Sequence, residues 1–154
     1  MTADLLVAVL ASPPTTSGDR TRSRVELVRT TLGARRTCIA NLFPIPTHRT
    51  TDITRVGIHA ADWLSVRPKM AEILSKADAV LLAYGVSEPT GDVRALYRDQ
   101  LAWLGGVLAG INAPLYQVGG APRHPSRWQR WTSRTHPDLP FRAALDLSLS
   151  AIDG

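Results

Sequence analysis

The sequence predicts an α/β fold: a three-layer α/β/α sandwich around a parallel four-stranded central sheet in the order 2-1-3-4. Three observations predict it. Four apolar runs, at 5–10, 37–42, 79–84 and 114–118, are short and nearly continuous rather than alternating, as in parallel strands covered on both faces. Helical periodicities lie between them, giving the order β-α-β-α-β-α-β, which requires right-handed crossovers and helices on both sides of the sheet. At 154 residues the chain fits a single domain, 1–154, able to bury roughly two thirds of its unfolded surface.

Each element follows from local signals. The run "LLVAVLAS" at the start carries Asp4 and no positive charge ahead of it, so it reads as a buried strand and not a secretion signal. The first helix opens at Asp19, a good N-cap residue, and closes at Gly33, with Val25, Val28 and Leu32 as its inner stripe. The second spans 61–76, with Trp63, Val66, Met70, Ile73 and Leu74 at helical spacing and a kink or fresh start at Pro68. The third covers 92–109, where Val93, Leu96, Tyr97, Leu101, Leu104 and Leu108 form the stripe. A last helix is expected over 141–152. The irregular stretches 11–18, 43–60 and 119–140 each follow a strand, and ligands of open α/β sheets bind at the carboxyl ends of strands.

Composition narrows the function classes. Apolar content of 44 % and charged content of 20 % are ordinary for a globular protein. A single cysteine, Cys38, excludes an internal disulfide and a Cys-based zinc cluster, and it reads as a reduced thiol of a cytoplasmic protein. No run reaches the eighteen or so apolar residues of a membrane span. The formal net charge is +5, carried mostly by arginine, and a basic surface attracts phosphates and nucleic acid; scattered arginines are also what a GC-rich coding sequence produces.

Four loops hold the residues that could carry chemistry. In "ASPPTTSGDRT", Ser12, Thr15, Thr16, Ser17 and Asp19 crowd a strand-to-helix turn that offers hydroxyls and backbone amides to an anion. Neither GxxxxGK[ST] nor GxGxxG is present. The bland alternative is a Pro-stiffened turn with an Asp cap. In "IANLFPIPTHRTTD", Asn41 ends a strand where a carboxamide can read a base edge, or simply bond local backbone. His48 and Asp52 follow at a spacing that fits no metal motif. In "LLAYGVSEPTGD", Tyr84 can stack on a planar ring and Gly85 admits a ligand closely, or the pair is only a strand end. In "VGGAPRHPSRWQRW", His124 precedes Pro125 at a helix start, which would place Arg127, Arg130, Trp131 and Arg134 on one face, a basic and aromatic surface suited to nucleic acid.

Taken together, the segments "LASPPTTSGDRTRSR", "NLFPIPT", "AYG" and "GGAPRHPS" resemble, in order and over residues 4–128, the bacterial and phage family called domain of unknown function 1643. Ser12 stands where that family has the Asn of an LNPS segment, and Tyr84 where it has the Trp of WG. More distantly, the layout looks like the uracil-DNA glycosylase superfamily, through the triplet His124-Pro125-Ser126. That resemblance implies a uracil-DNA-glycosylase-like fold and a nucleobase N-glycosidase acting on DNA, a nucleotide or a nucleoside. His124 would stabilise the leaving base and Asp19 orient water. Asn41 would read the base, Tyr84 stack on it, and Arg127 or Trp128 wedge into the duplex, with Ser12, Thr15, Thr16, Gly85, Arg123 and Ser126 contacting substrate. The alternatives are a non-catalytic nucleotide or nucleic-acid binding module, and a small-molecule enzyme whose anion sits in the 12–18 loop. No metal or cofactor is expected, and the partner is a nucleobase-containing ligand or DNA. The readings predict that Ser12, Asp19, Asn41, Tyr84 and His124 meet in one cleft.

Overall fold

The structure is a computed structural model that describes residues 3–49 and 52–152. The α/β class is as predicted. The sheet, however, has five strands and is mixed, in the order β2-β1-β3-β4-β5. Strand β1 (Leu5–Leu10) lies between β2 (Arg36–Asn41) and β3 (Ala79–Leu82), and β4 (Leu115–Val118) pairs with β3, all in parallel. The fifth strand, β5 (Leu149–Ile152), runs antiparallel to β4, with Leu115 opposite Ile152 and Gln117 opposite Ser150.

That fifth strand corrects the sequence reading, which ran a helix through to residue 152. Helix α7 stops at Ser148 (Phe141–Ser148). The error has a physical origin. Phe141, Leu145, Ser148 and Ile152 recur at helical spacing, so periodicity extends the helix, and a short apolar segment does not declare its type by pattern alone. What decides is β4, whose outer edge of N–H and C=O groups needs a partner. The tail supplies it, turning Leu149 toward one core and Ile152 toward the other at a period of two.

The two cores define the three layers. Every residue of β1 is buried, and alternate side chains go to opposite faces. Leu5, Val7 and Val9 pack with Trp63 of α3 (Ala60–Ser65), Met70 and Leu74 of α4 (Arg67–Ser75), and Tyr97, Leu104 and Leu108 of α5 (Val93–Ala109). Leu6, Ala8 and Leu10 pack with Val25 and Val28 of α1 (Asp19–Leu32), Trp128 of α6 (Trp128–Thr135) and Leu145 of α7. The helix predicted over 61–76 is two helices: Pro68 sits in the first turn of α4, where its missing N–H costs nothing, and the chain restarts there. The expected irregular stretch 43–60 also holds a one-turn helix, α2 (Ile53–Val56); Thr50 and Thr51 of that stretch lie outside the described residues. Among the described residues no helix is long and apolar enough to cross a membrane.

Candidate functional site

The loops that follow β1, β2, β3 and β4 meet at the carboxyl edge of the sheet and enclose an open cleft of about 1140 Å³. Hydrogen bonds hold them together. Ser12 Oγ and Thr47 Oγ1 bond across the first two loops, and the Thr47 amide donates to the Pro13 carbonyl at 3.0 Å. The Gly85 amide donates to the Pro122 carbonyl at 2.6 Å, tying the third loop to the fourth.

At the first loop Gly18, not Asp19, caps α1, in the left-handed region at φ 75°. Asp19 is instead the first helical residue, exposed on the cleft wall. The correction follows from backbone shape: the chain must turn sharply off Pro14 to start the helix, a Cβ at Gly18 would lie 2.9 Å from the Pro14 ring, and only glycine tolerates both. The hydroxyls of Thr16 and Ser17 accept from the Gly18 and Asp19 amides at 3.4 Å.

The fourth loop shapes the opposite wall. Gly119 and Gly120, both with positive φ, reverse the chain after β4 and bring Arg123 and His124 to the sheet edge. A Cβ at Gly119 would stand 2.8 Å from Arg123 Nε and from the Trp131 indole. The Arg123 guanidinium lies over that indole, 5.0 Å from its centroid, and Arg123 Nε is buried without a hydrogen-bond partner among the described residues. Arg127 at the end of the 3₁₀ turn Pro125–Arg127, and Arg130, Trp131 and Arg134 of α6, face the cleft together, on the one face that their spacing predicts.

His124 caps that turn. Its Nδ1 receives the Ser126 backbone amide at 3.1 Å and lies 2.9 Å from Ser126 Oγ. A backbone N–H can only donate, so Nδ1 is the unprotonated nitrogen and the proton of the neutral ring sits on Nε2. Nε2 has no partner among the described residues. Burial, then the charges of Arg127 and Arg24, hold the imidazole below its ordinary pKa of 6.5.

The cleft is therefore strongly cationic. Arg20, Arg49, Arg123, Arg127, Arg130 and Arg134 line it against one carboxylate, Asp19. Among the described residues none of these six arginines forms an ion pair, while Glu26, Glu72, Glu88, Asp4 and Asp99 are committed to pairs elsewhere.

Of the residues the sequence singles out, Ser12, Thr15, Thr16, Ser17, Asp19, His48, Gly85, Arg123, His124, Ser126 and Arg127 line this cleft. Asp52, Trp128, Tyr84 and Asn41 do not, so of the five residues expected to meet, the cleft gathers Ser12, Asp19 and His124 but not Asn41 or Tyr84. Trp128 is fully buried, its indole donating to the Arg123 carbonyl at 2.9 Å; it supports the wall from behind and is not a wedge or a stacking surface. Tyr84 is half-buried and packs on the α5 side of the sheet, where burial raises its phenol pKa. Asn41 borders a smaller pocket of about 180 Å³, which shares Leu10, Pro14, Gly18 and Thr21 with the cleft, and its Oδ1 is buried and unpartnered among the described residues. Sequence reasoning passed over Arg20, Arg24, Thr47 and Arg49. The i, i+4 spacing of Arg20 and Arg24 past the loop carried that signal; nothing in the spacing of Thr47 and Arg49 did. Compared with known proteins, the chain matches no family model, no curated protein and no solved structure.

Proposed function

We propose that this protein binds a phosphate-bearing nucleotide ligand, in the first instance a strand of nucleic acid, along the cleft at the carboxyl edge of its sheet. The observation that carries this reading is the set of six arginines, unpaired among the described residues, around one carboxylate. Clustered guanidinium groups repel one another and recover that cost when phosphate oxygens come between them. The breadth of the cleft favours an extended ligand over a mononucleotide.

A second reading is hydrolysis of an N-glycosidic bond, which the state of His124 favours. Water would attack C1′ while the bond to the base nitrogen breaks and the electron pair leaves with the base. The Nε2–H of His124 would donate to an oxygen of the departing base, and Asp19 would orient the water and accept its proton. With Asn41 and Tyr84 outside the cleft, no base-reading contact supports this step, so binding is the primary conclusion.

Titration of fluorescent single-stranded and duplex oligonucleotides, with a mononucleotide as competitor, tests the primary reading. Binding should weaken with salt, with a log–log slope of about −0.7 per phosphate contact for a single strand and about −0.9 for a duplex. Absence of binding at low salt overturns it. If a substrate is cleaved, His124→Gln should cut turnover by about 10²–10³ while affinity is kept.

A further inference from the structure

We propose that Arg24 is a positioning residue: from α1 it clamps the turn that carries His124 and fixes which imidazole nitrogen a ligand in the cleft meets. The proposal rests on the reading of that cleft as a ligand site. It stands on where the Arg24 side chain goes. The residue is distant in sequence from the turn and belongs to a different element. Its Nη1 donates to the Pro125 carbonyl at 2.7 Å and its Nη2 to Gln129 Oε1 at 3.2 Å, gripping the turn on both sides of Ser126 and Arg127. The guanidinium also lies 5.7 Å from the centroid of the Phe141 ring, so a third element backs it.

An arginine is a costly choice for this task. The side chain is half-buried, no carboxylate pairs with it among the described residues, and burial together with neighbouring Arg20 pushes its own pKa down. A neutral donor could bond the Pro125 carbonyl without that penalty. What a neutral donor lacks is charge beside the imidazole. The Ser126 amide already demands an unprotonated Nδ1. The Arg24 cation opposes a second ring proton, and so acts in the same sense through space. A hydrogen bond and a charge thus select one form of His124, the neutral ring with its proton on Nε2.

The charged and titratable groups around this imidazole are mostly cations. Arg24 and Arg20 come from α1, Arg127 from its own turn, Arg123 from the loop after β4 and Arg130 and Arg134 from α6, while His48, Arg49 and Asp19 line the rest of the cleft. Asp19 is the one group among these that favours a charged ring.

The test is histidine NMR on ¹⁵N-labelled protein, wild type against Arg24→Met, Arg24→Gln and Arg24→Lys. The proposal expects an upward shift of the His124 titration midpoint in the Met and Gln variants, with Nδ1-protonated ring becoming detectable in the Met variant as the clamp is lost. Arg24→Lys, which keeps the charge, should hold the midpoint near that of the wild type. Arg24→Gln retains a donor for the Pro125 carbonyl, so it carries the test if Arg24→Met does not fold. A folded Arg24→Gln whose His124 midpoint and tautomer match the wild type overturns the proposal and makes Arg24 a scaffold residue only. The titration needs no ligand. Failure of the wild type to bind oligonucleotides would count against the proposed function, while an unchanged titration in Arg24→Gln counts against this inference.

Discussion

His124 and Trp128 stand four residues apart, and both read from the sequence as ligand contacts; only one of them faces the cleft. For His124 the consequence is a pH dependence. Its pKa in the folded protein lies below the ordinary 6.5, so between those two values the unfolded chain holds more protons than the folded one. Stability should therefore fall as pH drops through 6.5 and level off below the folded-state pKa. Urea denaturation across that range should show this loss in the wild type and its reduction in His124→Gln; identical curves would remove the depressed imidazole. For Trp128 the consequence is packing. Trp128→Ala should cost about 3–5 kcal/mol in the same denaturation experiment, since it empties a core position. The Arg123 carbonyl also loses its donor. His124 was legible as a cleft residue because a Gly/Pro-rich turn after a strand puts whatever follows at the sheet edge. Trp128 was not, because a tryptophan among arginines looks the same whether it faces in or out. The phase of α6 settles that, with Trp128 and Thr132 inward and Arg127, Trp131 and Arg134 toward the cleft.

At the scale of elements, α6 and the turn before it form the arginine-bearing wall of the cleft. Replacing Arg127 or Arg130 by Gln should each reduce the salt slope of single-strand binding by about 0.7, uniformly across sequences, because a lost phosphate contact carries no base information. Gly119→Ala probes the turn. Its positive φ alone penalises alanine by about 1–2 kcal/mol, and the added methyl must displace Arg123 or Trp131. Both melting temperature and oligonucleotide affinity should fall, and a variant with only the first effect would separate the wall from binding. The α/β alternation and the strand ends were readable because parallel strands buried on both faces leave continuous apolar runs. The split at Pro68 was readable as one of two outcomes. The fate of 149–152 was not, because the unsatisfied edge of β4 that decides it belongs to the tertiary structure.

For the molecule as a whole, the sheet gathers the cleft and its arginines on one edge. That placement was legible in advance, since long loops follow the strands and short ones precede them; the balance of charge within the cleft was not, because ion pairing depends on which carboxylates fold elsewhere. The antiparallel run of β5 has a practical consequence for handling the protein. Because β5 travels back along β4 to lie opposite Leu115, Ile152 comes out at the amino edge of the sheet, the edge from which Leu5 also starts. The described segment therefore enters the sheet at Leu5 and leaves it at Ile152, both on the edge opposite the arginine wall. A fluorescent protein or an affinity handle fused at either end should leave oligonucleotide affinity within about twofold of the untagged chain, as distant additions without shared contacts do. Such a handle can immobilise the protein on a surface with every cleft facing the solution.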